Sequence, residues 1–70
     1  MASRSSAVKK VKASEVLRKG EFNVLWVENL GDREVVHIYS YRYRTKFMLI
    51  RRRVEKGYEV LYDEEKEVST

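Results

Sequence analysis

The chain reads as a mainly β protein: a β-rich α+β domain with a short N-terminal helix and a small four-stranded antiparallel meander. Three observations predict this. Branched and aromatic residues alternate at period two over 22–27, 35–43 and 58–62. Turn-forming residues around Gly31 and Gly57 punctuate those runs. Helix start and stop signals frame one short segment, residues 14–20.

Residues 1–12 read as a flexible basic arm. Ser3, Ser5 and Ser6 precede Lys9, Lys10 and Lys12, and Val8 and Val11 are its large apolar residues apart from Met1. Ser14 is a fair N-cap, Glu15 suits a first turn, and Arg18 and Lys19 suit a last one. Gly20 supplies the positive φ that ends the helix. Residues 21–28 form a strand with Phe22, Val24 and Trp26 on one face and Asn23, Leu25 and Val27 on the other. Residues 29–32 turn, and 34–43 return as the second strand of a hairpin. Residues 55–57 turn again into a strand over 58–63, which sets Tyr58, Val60 and Tyr62 against Glu59 and Asp63. The domain proper is 13–63, and residues 64–70 read as an acidic tail.

The segment 46–56 supports two readings. As a strand, Phe47 and Leu49 oppose Met48 and Ile50. As a helix, Phe47, Ile50 and Val54 make a stripe, and the order becomes β-β-α-β. The strand is favoured, because the preceding strand runs almost directly into it.

Seventy residues make one small domain, with no Cys for a disulfide or thiolate site. A core of that size is marginal by itself, so a homodimer is the expected supplement. No apolar run reaches the roughly 20 residues of a membrane span. The expected location is cytoplasmic, nucleoid-associated if the partner is DNA. The absence of Gln, the scarcity of Asn and the abundance of charge lean towards a thermophile.

Charge is organised in blocks. Residues 1–20 carry +5, 21–34 carry −3, 35–54 carry +6 and 55–70 carry −4. Within 35–54 lie Arg42, Arg44, Lys46, Arg51, Arg52 and Arg53 without one acid, among Tyr39, Tyr41, Tyr43 and Phe47. Planar cations mixed with aromatic rings suit a polyanion that also offers flat faces, which is nucleic acid. The expectation is a small basic nucleic-acid-binding protein of low sequence specificity. DNA is preferred to RNA by a small margin, and a ribosomal role is the RNA alternative.

The contacts would come from Arg42, Arg44, Lys46, Arg51, Arg52 and Arg53, from Tyr39, Tyr41 and Tyr43, and from Lys9, Lys10 and Lys12 of the arm. The competing account of the tyrosines is core packing, and that of the triple arginine is pairing with Glu59 or Asp63 across a hairpin. Trp26 reads as a core anchor and His37 as a satisfied sheet residue. If the tyrosines are exposed, Val36 and Ile38 point inward, and unpaired strands gain over duplexes. A protein-interaction module with the tyrosines at its centre is the reading from a different class.

Catalysis finds little support. One His and no Cys exclude the usual nucleophile sets, there is no glycine-rich phosphate loop, and the carboxylates sit in turns and tail. Neither a metal, a cofactor nor a small-molecule substrate is implied.

Overall fold

The computed structural model describes residues 8–69. Its elements are β1 (Val8–Lys12), α1 (Ala13–Lys19), β2 (Phe22–Asn29), β3 (Glu34–Ser40), β4 (Thr45–Val54), β5 (Gly57–Asp63) and β6 (Glu65–Ser69). An antiparallel sheet runs in the order β2-β3-β4-β5, and β1 pairs with β6 in a separate two-stranded ladder. The fold is mainly β with one short helix, as expected.

The segment 46–56 is a strand up to Val54, not a helix. Its register against β3 sets Phe47 opposite Ile38 and Leu49 opposite Val36. All four are buried. A helical stripe of Phe47, Ile50 and Val54 would have separated Phe47 from Leu49, so period two buries more apolar surface here.

Residues 34–43 do not form one strand. β3 stops at Ser40, and residues 41–44 are the turn into β4. Ser40 is fully buried. Its hydroxyl accepts the Tyr43 N–H at 3.2 Å, while the Tyr41 N–H donates to the Glu21 carbonyl at 2.9 Å. The Tyr41 bond carries the β2–β3 register one step past Phe22 and Ser40, the Ser40 hydroxyl closes the turn, and Arg44 completes the reversal at φ 54°. Val36 and Ile38 point inward, which sends Tyr39 to the opposite face and leaves Tyr41 and Tyr43 in the turn.

The expected arm and tail also differ from the structure over their described parts. Residues 8–12 and 65–69 pair with each other as β1 and β6. Each strand contributes one valine to the core, Val11 and Val68. The ladder sets Lys10 opposite Glu67 and Lys12 opposite Glu65. Opposite charges facing across a ladder contribute roughly 0.2–1 kcal/mol each. The acidic segment therefore lies beside the lysines of β1 and is not a free anionic tail.

Both edge strands carry a β-bulge, and each changes which face a side chain takes. In β2 the register slips between Val24 and Trp26, so Val24 lies opposite Ile38 and Val27 opposite Val36, while Trp26 lies opposite His37. Trp26 thus leaves the face of Phe22 and Val24, where strict alternation puts it. In β5 the slip falls between Tyr62 and Val60. Tyr58 and Val60 then share the core face with Asp63, while Tyr62 joins Ile50 on the other face.

One face of the sheet is covered. Val36, Ile38, Phe47 and Leu49 pack with Val11, Ala13 and Val16 of the N-terminal segment and Val68 of β6. Leu17, Phe22 and Tyr43 close the margin of this core. The seven-residue helix is too short to persist alone. Its N-cap position is Lys12, without a side-chain cap, and not Ser14.

Asp63 acts in place of a local cap. It accepts the Ser14 N–H at 2.9 Å and also the Ser14 hydroxyl. The Ala13 N–H donates to the Glu64 carbonyl at 2.8 Å. At the other end the Gly20 N–H reaches the Val16 carbonyl at 2.9 Å, with Gly20 at φ 86°.

Replacing Asp63 with Ala should lower the unfolding free energy by about 1–2 kcal/mol, the usual cost of a lost helix cap. Urea unfolding followed by circular dichroism measures it. A loss no larger than that of an exposed control substitution would show that Asp63 does not hold the helix.

Glu15 meets Lys9 at 3.6 Å and Lys19 at 3.4 Å. Desolvation opposes its charge, but the hydrogen bond from Lys19 and the charges of Lys9 and Lys19 outweigh it and lower the carboxyl pKa. A carboxylate with a lowered folded-state pKa stabilises the fold at neutral pH, and that contribution fades as pH falls through the lowered range. The stability difference between the native chain and E15Q should therefore shrink on acidification. Thermal unfolding at neutral and acidic pH tests this, and a pH-independent difference would contradict it.

Candidate nucleic-acid interface

The face of the sheet opposite the core has no layer packed over it among the described residues, although Val35 within it is buried by its neighbours. Cross-strand pairing builds it in rows. Asn23, Tyr39 and Lys46 form one row, and Trp26, His37 and Met48 the next. Glu28, Val35, Ile50 and Tyr62 form a third. Trp26 is 54% exposed and Tyr62 48% exposed. Trp26 is therefore not a core anchor. Its indole stacks on His37 with ring centroids 4.0 Å apart and planes at 21°. The imidazole thus lies against the indole, a sheet residue with an aromatic partner.

The cation-rich block does not form one platform. β4 carries it across the whole sheet. Seven residues separate Arg44 from Arg51, about 23 Å along a strand at ~3.3 Å per residue. Arg42, Arg44 and Lys46 gather at the β3–β4 turn. Arg51, Arg52 and Arg53 lie towards the opposite end, and alternation divides them between the two faces.

At the turn end, aromatic and cationic side chains meet. Tyr39 lies opposite Lys46 in the ladder. Tyr41 sets its ring edge-on to Tyr39, with centroids 5.8 Å apart. Arg44 and Lys46 are exposed and have no ion-pair partner among the described residues. Arg42 touches Glu21 at 3.8 Å, with both side chains about 60% exposed. Such a pair contributes on the order of 0–1 kcal/mol and yields readily to a phosphate. Tyr43 is the exception among the tyrosines. It packs against the core and lines a shallow groove with Arg42, Arg44, Glu67 and Ser69.

The triple arginine resolves into structural pairs. Arg51 binds Glu34 at 2.7 Å, with both side chains mostly buried, and its guanidinium lies 3.9 Å from the Tyr58 ring centre. Arg52 pairs with Glu59 at 2.6 Å on the exposed outer face. Arg53 donates to the Tyr58 hydroxyl at 3.2 Å. The pairing of this run with Glu59 is thus realised, and Asp63 is engaged by the helix instead. Arg51, Arg52 and Arg53 are separated from the turn cations, and two of the three are neutralised in place.

The lysines of β1 are also divided. Lys9 is held by Glu15 at 3.6 Å. Lys10 and Lys12 are exposed beside the acidic β6. The outer face thus sets Tyr39 and Lys46 in the row beside Trp26 and His37, with Tyr41 edge-on to Tyr39, while Arg42 and Arg44 line grooves on the side of Tyr43, Val16 and Val68. Tyr62 lies further along the outer face. Trp26 and Tyr62 escaped the sequence reading because a bulge precedes each on its outward-facing side. The signal that could have found Trp26 was its place in an edge run with no charge between Asn23 and Val27.

Comparison with protein-family models, with curated proteins and with solved structures finds no match. Among the described residues no group of three or more His and carboxylate side chains converges on a metal site. No helix among them is long and apolar enough to cross a membrane.

The different roles of the arginines can be measured. R51Q should cost about 1–2 kcal/mol, because it leaves the Glu34 carboxylate half-buried and unpaired and removes a cation from the Tyr58 ring. R52Q should cost only a few tenths of that, as exposed pairs do. Denaturant unfolding of the two variants compares them directly, and equal costs would refute the division.

Proposed function

We propose that this protein binds unpaired nucleic acid, with little sequence specificity, across its uncovered sheet face. The observation that carries this reading is the junction at the β3–β4 turn. There exposed Lys46 lies opposite Tyr39, Tyr41 sets its ring edge-on to Tyr39, and the exposed Arg42 and Arg44 stand in the same turn. Phosphates would take the cations and bases would stack on the rings, each stack contributing about 1–3 kcal/mol. Specificity is slight because neither contact reads a base edge. Charge alone favoured duplex DNA. The open aromatic face favours single strands of RNA or DNA, since the bases of a duplex are already stacked on each other.

Arg51, Arg52 and Arg53 play at most a secondary part in this reading, because Glu34, Glu59 and Tyr58 already engage them. The protein-interaction reading has its own observation, the apolar edge strands, and it concerns a different surface.

Fluorescence anisotropy with equal-length single-stranded RNA, single-stranded DNA and duplex DNA at two salt concentrations tests the proposal. R42Q/R44Q/K46Q should weaken binding about tenfold or more at low salt and flatten the salt dependence by roughly 0.7 per lost phosphate contact. Y39A/Y41A should weaken single strands about tenfold and leave the duplex nearly unchanged. R51Q/R52Q/R53Q, in variants still folded by circular dichroism, should do less than the turn triple. Equal loss for duplex and single strand in Y39A/Y41A would return the reading to duplex phosphate binding. No measurable affinity for any of the three probes would end it.

A further inference from the structure

We propose that two copies of this chain join through antiparallel pairing of β2 with its equivalent, about a two-fold axis between Leu25 and Trp26. The inference stands on β2 alone and is independent of nucleic-acid binding.

β2 is an edge strand of eight residues with a single charge, Glu28. It has none of the lysines or prolines with which soluble proteins blunt such an edge. Val24 and Val27 are each 46% exposed, Leu25 39%, Trp26 54% and the neighbouring Leu30 52%. These side chains leave apolar surface exposed on both faces along one unpaired strand edge, which is the form of exposure that strand-to-strand pairing covers. Pairing also covers the backbone rim of both strands, which moves each copy towards the roughly 800 Å² per partner of a stable interface.

The occupant is argued from the bulge. In a regular strand, residues paired about a two-fold axis must have numbers of equal parity, because opposite residues share a face. The extra residue at Leu25 shifts that rule by one across the bulge. The axis between Leu25 and Trp26 then sets Val24 opposite Val27 of the second copy and Leu25 opposite Trp26. It sets Asn23 opposite Glu28 and Phe22 opposite Asn29. Val24 and Val27 both lie on the core face, and Asn23, Trp26 and Glu28 lie on the outer face. The pairs flanking the bulge therefore match faces, apolar meets apolar at the centre, and no like charges meet.

The other edge, β5, also exposes Tyr58, Val60, Leu61 and Tyr62, but it carries two acids, Glu59 and Asp63, where β2 carries one. On β5, Tyr58 is engaged by Arg51 and Arg53, Glu59 by Arg52, and Asp63 by the helix. The two-fold axis is normal to the sheet, so the product is one eight-stranded sheet with both outer faces on the same side.

Sedimentation equilibrium from micromolar to millimolar concentration should find a dimer. V24K/V27K places introduced lysines opposite one another and should raise the dimer dissociation constant by about a hundredfold or more. V24K/V27E places each introduced lysine opposite an introduced glutamate and should restore the dimer. In this cysteine-free chain, mild oxidation of N23C/E28C should give a covalent dimer, and that variant decides the question if V24K/V27K fails to fold. A native chain that stays monomeric overturns the proposal. So does a dimer that V24K/V27K leaves intact, an assembly larger than two, or an N23C/E28C chain that forms no covalent dimer.

Discussion

The fold depends on where the Asp63 carboxylate points. Plain alternation along β5 would set Asp63 on the outer face with Glu59, in water. The bulge before Tyr62 turns it to the core face, where it meets Ser14 across 49 residues of chain. A seven-residue helix has no capacity to hold itself, and its own N-cap position offers no side-chain oxygen. Asp63 and the Glu64 carbonyl supply what the helix lacks, and the helix in turn seats Ala13 and Val16 on Phe47 and Leu49. The layer that covers the sheet is thus anchored by a polar contact, and its apolar content is small: one short helix, Val11 and Val68.

A core this small leaves much of the sheet without a partner. Beyond Leu49 the core face passes to Glu34, Arg51 and Tyr58, which satisfy one another through charge and ring contact. The outer face has no such cover and keeps an aromatic character from Trp26 through Tyr39. Of the cations at the β3–β4 turn, Arg44 and Lys46 are exposed without an ion-pair partner among the described residues, and Arg42 holds a loose contact with Glu21. Position on the fold therefore separates the arginines more sharply than their spacing in the chain does.

Much of the fold was legible in sequence. The turns at Gly31 and Gly57, the four sheet strands and the short helix follow from alternation and turn chemistry, while alternation alone left open whether Val36 and Ile38 or the tyrosines point inward. What was not legible has a physical pattern. A bulge leaves no mark in composition, so Trp26 and Asp63 were assigned to the wrong faces by correct counting. β1 and β6 each contain one buried valine, and a strand with a single core contact looks like a charged tail until its partner is known. Of the site, the cations and tyrosines were visible as types. Their division was not, because it depends on Glu34 and Tyr58, which reach Arg51 from two other strands.

The ladder of β1 with β6 has a kinetic consequence. Hairpin contacts within β2–β5 close over short loops and can form early, but the strands that complete the core lie near opposite ends of the described chain. Pairing at such separation must meet the entropy of closing nearly the whole chain before any contact offsets it. The part of the core that costs the most chain entropy to close is therefore the layer that shields one face of the sheet.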